Sequence, residues 1–210
     1  MIQDFTVSSF LEELSSKKPT PGGGGAAGLA GAVGTALGEM VVNLTLGKKK
    51  YADVEEEMQS ILMTLTQMRE EFLRLADEDA VVFAPLAAAY SLPATTEEEK
   101  KKKEAILEDL LVSAALVPLS VMELCLKTLE LLEFLGEKGS RLAVSDVGVG
   151  VQMIRASILG AKMNVYINTK TMVQREKARE LNARAQSVSE EGIRLADSIY
   201  TQVEAALKTE

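Results

Sequence analysis

The chain has 210 residues, 47% of them hydrophobic and 26% charged, so a single domain with a sizeable buried core is the default expectation. Acidic residues outnumber basic ones 31 to 23 and give a net charge of −8, which argues against broad phosphate-backbone contact and so against nucleic acid as a partner. With no His and one Cys, a His-based triad, the common zinc sites and an internal disulfide are all excluded, leaving Asp, Glu, Lys and Tyr for any acid–base chemistry.

Hydrophobic periodicity is helical nearly everywhere. Residues 6–16 read as a short amphipathic helix with Phe10, Leu11 and Leu14 inward. Their acids, and the lack of a basic stretch, do not fit a signal peptide, and the lone Cys125 fits a reducing compartment, so a cytoplasmic protein is expected. Pro19-Thr-Pro-Gly-Gly then forms a loop. Residues 19–38 are uncharged and about long enough to span a bilayer, but eight of the seventeen residues 22–38 are Gly, so no membrane span is expected. A small-residue helix over 24–46 aligns Gly24, Gly28, Gly31, Gly34 and Gly38 at steps of three or four, which implies either close helix packing or a ligand.

The next helix, 53–89, carries a seam of Met58, Ile61, Leu65, Met68, Phe72, Leu75, Asp79, Val82 and Leu86, with a kink expected at Pro85. Thr96 and Glu99 fit a capping box, and the charge run 97–104 reads as a solvated surface. Pro118 is expected to kink or split this element, and 136–140 to form a turn. Ser145 or Asp146 caps a further helix with Val147, Val151, Ile154, Ile158, Ala161 and Val165 on one face. A last helix covers 175–207. The fold class is all-α, a bundle of long helices forming one domain over 1–210.

Several residues could carry chemistry. Gly23 to Gly28 formally matches a dinucleotide fingerprint, but no strand precedes it; a Gly-rich loop entering a helix could instead offer backbone N–H groups to a polar ligand. Asp79 is a carboxylate inside an apolar seam, which is either paired to a cation or functional with a raised pKa, whereas Asp77 and Glu78 beside it fall on solvated faces. Asp146 reads as an N-cap or as an ionised base or cation stabiliser. Asn164 and Asn168, four apart, present two amides on one face, either to another helix or to a heterocycle. Lys48, Lys49 and Lys50 suit a helix C-terminus, and could equally hold carboxylates.

Pro19-Thr-Pro-Gly-Gly-Gly24, Ala36-Leu-Gly-Glu-Met-Val41, Thr45-Leu-Gly-Lys-Lys-Lys-Tyr51, Asp79-Ala-x-x-Phe83, Val117-Pro-Leu119, Ser145-Asp146 and Gly160-Ala-x-x-Asn-Val-x-Ile-Asn168 follow one another along most of the chain. In that order they closely resemble the formimidoyltetrahydrofolate cyclodeaminase family, also called the cyclodeaminase/cyclohydrolase family, in its free-standing bacterial form. The resemblance implies an all-helical homodimer acting on a tetrahydrofolate derivative, with no metal and no organic cofactor. It implies closure of 5-formimidoyltetrahydrofolate to 5,10-methenyltetrahydrofolate with release of ammonia, the alternatives being hydrolysis of the methenyl bridge or a silent folate-binding dimer. It implies Asp79 as the acid–base group and Asp146 as its anionic partner, or the reverse. Pro21, Gly22, Gly23, Gly24 and Ser145 would line the folate site, Lys48 and Lys49 would meet the carboxylates of a polyglutamate tail, and Asn164 and Asn168 would contact the pterin or the reacting bridge. Gly25 stands where many members have Ser, and Gly139-Ser140 where members commonly carry Gly-Asn, so a hydroxyl and an amide are missing from the family pattern.

Overall fold

The computed structural model describes residues 1–208, and the last two residues of the expected domain lie outside them. Among the described residues there is no strand; the fold is carried by α1 (Val7–Leu14), α2 (Gly23–Asn43), α3 (Glu55–Tyr90), α4 (Glu97–Lys138), α5 (Val144–Lys170) and α6 (Arg175–Lys208). Short 3-10 turns, Ile2–Asp4, Lys49–Val54 and Arg141–Ala143, lead into α1, α3 and α5. The expected all-helical bundle is the observed architecture.

Its core follows from the apolar spacing. Met58, Leu65 and Phe72 of α3, Leu129 and Leu132 of α4, Val151, Ile154 and Ile158 of α5, and Leu181 and Ala185 of α6 are fully buried in one cluster. Burying each large aliphatic side chain contributes about 1.5–3 kcal/mol. The small-residue helix α2 packs against α3 and α5. It runs antiparallel to α5, since Gly23 faces Asn164 at one end and Gly34 faces Gly150 further along. At that second pair a Cβ on residue 34 would lie 2.8 Å from the Gly150 carbonyl oxygen, so glycine is what lets the two backbones meet. By length and composition alone Gly23–Asn43, a stretch of Glu97–Lys138 and Arg141–Lys170 are apolar enough to cross a membrane; about half of each is buried within the bundle.

Cys125 lies in this core, fully buried, and donates to Ser157 Oγ at 3.2 Å, which in turn donates to the Ala27 carbonyl at 2.7 Å. Burial pushes its thiol up to about 12.

Four expectations need correction. Leu11 faces solvent, because α1 buries only Phe10 and part of Leu14 on its inner side. Pro118 does not split α4, which runs unbroken for 42 residues and is capped by the Thr96–Glu99 box as expected. The helix also continues to Lys138, so the turn expected over 136–140 shrinks to Gly139 and Ser140. Finally, Ala143 is the N-cap of α5, which places Ser145 and Asp146 inside its first turn rather than at the cap.

Candidate active site

At one end of the bundle the N-terminus of α2, the second half of α3, the middle of α4 and the end of α5 enclose a cleft of about 180 Å³. Gly22, Gly23, Gly24, Asp79, Asn164 and Asn168 line it, together with Phe83 and Ile167. Six of the expected site residues therefore meet in one place. Pro21 is adjacent, in the loop that closes on α2.

Asp79 is partly buried and, among the described residues, makes no ion pair. Of the alternatives for a carboxylate in the seam, pairing with Lys or Arg is thus not the one observed. Its side chain projects onto the first turn of α2, where a Cβ on residue 24 would fall inside the carboxylate; Gly24 is the residue that leaves room for it. Burial pushes the Asp79 carboxyl above the usual aspartate range, while the backbone N–H of Gly25 draws it back. A carboxyl so placed holds its proton more tightly than an exposed aspartate and can serve as a proton donor or acceptor.

The two amides opposite are fixed by their nitrogens. Asn164 Nδ2 donates to the Gly160 carbonyl, and Asn168 Nδ2 to the carbonyls of Asn164 and Ala114, each at 2.9 Å. That leaves both Oδ1 atoms as acceptors for a ligand. The Ala114 bond also satisfies a group that α4 itself leaves open. Residue 114 lies four before Pro118, so its carbonyl has no helical donor, and Asn168 supplies one from across the interface.

Position 25 points elsewhere: a Cβ there would meet Ile2 Cδ1 at 3.0 Å, with the Ala76 carbonyl and Pro21 Cβ both at 3.7 Å. A serine hydroxyl at 25 would thus start on the side of the amino-terminal turn. That turn is held by Asp77, which accepts from the Ile2 N–H and from Gln3 Nε2; Asp77 is therefore a structural anchor and not the solvated residue expected. Glu78 does lie at the surface, paired with Arg74.

The remaining expected residues sit at the other end. Asp146 is 18 residues before Asn164 on α5, about 27 Å away at 1.5 Å per residue. Lys48 follows the far end of α2 and donates to Ser140 Oγ at 3.3 Å. Ser140 is buried and donates its N–H to Thr45 Oγ1, while the Arg141 N–H donates to the Tyr51 hydroxyl and lowers that phenol's pKa. Ser145 and Lys49 are exposed nearby in the chain. Within one subunit the structure does not bring Lys48, Lys49, Ser145 or Asp146 to the Asp79 cleft. Sequence reasoning gave Phe83 and Ile167 no role, although Phe83 is one turn from Asp79 and Ile167 one residue from Asn168.

Comparison with known proteins bears on this arrangement. A sequence model described as formiminotransferase-cyclodeaminase matches residues 6–187. A methenyltetrahydrofolate cyclohydrolase of Methylorubrum extorquens is 38% identical over 200 residues, covering 95% of this chain and 96% of that one. The formimidoyltransferase-cyclodeaminase of Rattus norvegicus is 29% identical over 179 residues, and the aligned region is only 33% of its length. The crystal structure of a formiminotetrahydrofolate cyclodeaminase from Thermotoga maritima superposes with a TM-score of 0.83 at 29% identity, over 99% of this chain and 98% of that one.

Proposed function

The chain belongs to the formiminotransferase-cyclodeaminase family, and from that membership we propose that it works on the one-carbon bridge between N5 and N10 of tetrahydrofolate, as a methenyltetrahydrofolate cyclohydrolase. Its place among enzymes of folate one-carbon metabolism rests on the family. The choice of hydrolysis rests on the 38% identity, over nearly the whole of both chains, to a relative of that name. The observation that carries the chemistry is Asp79, a partly buried carboxyl whose pKa burial raises, in one cleft with the Asn164 and Asn168 amides.

In this reading Asp79, ionised, takes a proton from a water as the oxygen bonds to the cationic methenyl carbon. The adduct is a neutral carbinol. Asp79 then returns the proton to N5 as the carbon–N5 bond breaks, and the carbinol proton passes to solvent, leaving the 10-formyl product. The Oδ1 atoms of Asn164 and Asn168 accept from the pterin N–H groups and stabilise the cation. Gly22 to Gly24 admit the ligand close to the backbone, with Pro21 bordering them.

The cyclodeaminase reaction is the second reading, favoured by the Thermotoga maritima structure. There N10 attacks the carbon of the formimidinium, Asp79 takes the proton that N10 loses and passes it to the amino group, and ammonia leaves as the carbon–nitrogen bond breaks. A paired assay separates the two. Accelerated loss of methenyl absorbance above the spontaneous rate is the expected result; methenyl formation with stoichiometric ammonia from 5-formimidoyltetrahydrofolate assigns the second reading. In either assay Asp79→Asn lowers turnover by about 10²–10⁴. Near-normal turnover of the folded variant removes Asp79 from the mechanism.

The working form we propose is a homodimer. Val33 and Met40 of α2 and Val149, Met163 and Ile167 of α5 are exposed on two helices that lie side by side, forming an apolar face whose ends carry the two residue clusters. A two-fold axis across these helices would lay the Asp146 and Lys48 end of one subunit over the Asp79 cleft of the other. Asp146 of the partner subunit would then stabilise the cationic bridge.

A further inference from the structure

A second cavity, of about 350 Å³, lies beyond the Asp79 cleft on the same helices. Its walls continue those of the cleft: on α3 from Phe83 to Tyr90, on α4 from Ala114 through Leu111 to Leu107, and on α5 from Asn168 to Thr171 just past its end. Seven residues separate Phe83 from Tyr90 and Ala114 from Leu107, so the two cavities are offset by about 10 Å along the helices. The floor near the cleft is apolar, from Leu107 and Leu111, and Tyr90 offers an aromatic side chain.

The far rim is cationic. Lys103 Nζ donates to the carbonyls of Tyr90 and Leu92 at 2.7 and 2.8 Å, which holds the ammonium at the rim with its third donor uncommitted. Lys100 stands beside it, paired with Glu97 at the surface. Two acids also line the cavity. Glu108 is spoken for, since its two oxygens accept from the N–H groups of Val173 and Gln174 before α6; Glu104 is exposed at the rim.

We propose that this cavity is the subsite for the p-aminobenzoyl-glutamate tail, with the ring on Leu107, Leu111 and Tyr90 and the tail's carboxylates at Lys103 and Lys100. The assignment rests on the folate reading of the Asp79 cleft. It moves the carboxylate contacts from Lys48 and Lys49 to the first turns of α4, within the same subunit as Asp79. The offset between the cavities matches what a para-substituted benzoyl ring and an amide bond span, and an apolar floor ending in two ammonium groups matches the tail's order of ring and then charge.

The test uses p-aminobenzoyl-triglutamate, which has no pterin, titrated calorimetrically into the full chain. Saturable binding is expected, weakened at least tenfold by Lys100→Glu and by a smaller factor by Lys100→Gln. In turnover, Lys100→Glu should raise KM more for a tetraglutamate substrate than for the monoglutamate, with a lesser effect on kcat. Failure of the wild type to bind the probe overturns the subsite. Loss of binding in Lys48→Glu but not in Lys100→Glu also overturns it, and returns the tail to the far end. Probe binding that depends on Lys100 in a protein without folate turnover would uphold the subsite while removing the proposed reaction.

Discussion

Asp79 is maintained at a thermodynamic cost. Burial holds its folded pKa above the ordinary value of 3.8, so the native state binds the proton more tightly than the unfolded chain. The contribution of this group is therefore most favourable below the unfolded pKa and is lost as pH rises through the higher folded one. Asp79→Asn abolishes this dependence. Its midpoint temperature should gain on the wild type progressively as pH is raised from below 3.8 toward neutrality, even as turnover collapses. A constant offset across that range would mean the carboxyl is not desolvated in the native state. Gly24 belongs to the same design, because only the absence of a Cβ allows the carboxyl to lie against the first turn of α2.

Among the elements, α4 shows how a helix breaker can serve a site. Pro118 withholds a donor from the Ala114 carbonyl, and Asn168 fills the gap. Pro118→Ala restores an N–H that competes for that carbonyl, so it should leave the helix as stable or more so while lowering kcat/KM about tenfold, through a looser Asn168. In an Asn168→Ala background the same change should add little, and additive losses would show that the proline acts independently. The helices were legible in the sequence because the α3 seam and the α5 stripe repeat at helical spacing, and Asp79 stood out as a charge among apolar positions. The partner of the Ala114 carbonyl was not, because its donor comes from a residue 54 positions away. The tail cavity was equally hidden: its lining comes from the ends of three helices and a loop, with no motif spacing to join them.

For the whole molecule, the decisive feature is that the family motifs divide between two ends of an antiparallel helix pair. The resemblance named Asp79 and Asp146 together, and chain order could not reveal that one subunit keeps Asp146 roughly 27 Å on helical rise from Asn164, which shares the cleft with Asp79. If the site is shared between subunits, Asp79→Asn and Asp146→Asn should each be nearly inactive. Mixed, unfolded together and refolded, they should regain about a quarter of wild-type activity, because random pairing makes half the dimers mixed and each mixed dimer keeps one intact site. No recovery would confine each site to a single chain. Met40→Glu, placing a charge on the uncharged α2 face, should shift sedimentation from dimer to monomer, with loss of activity as the subunits part. A wild type that sediments as a monomer and partitions onto lipid vesicles would instead assign that face to a membrane.

The sealed thiol of Cys125 gives the bundle a built-in clock. The sulfur is enclosed by α4 and α5 and tied through Ser157 to α2, so no surface fluctuation exposes it. A thiol reagent in excess can react only when those three helices part, and the labelling rate then counts excursions of the entire core rather than local fraying. Because this is the chain's single cysteine, the count comes from one position, and slower labelling with folate bound would measure how firmly the ligand holds the bundle shut.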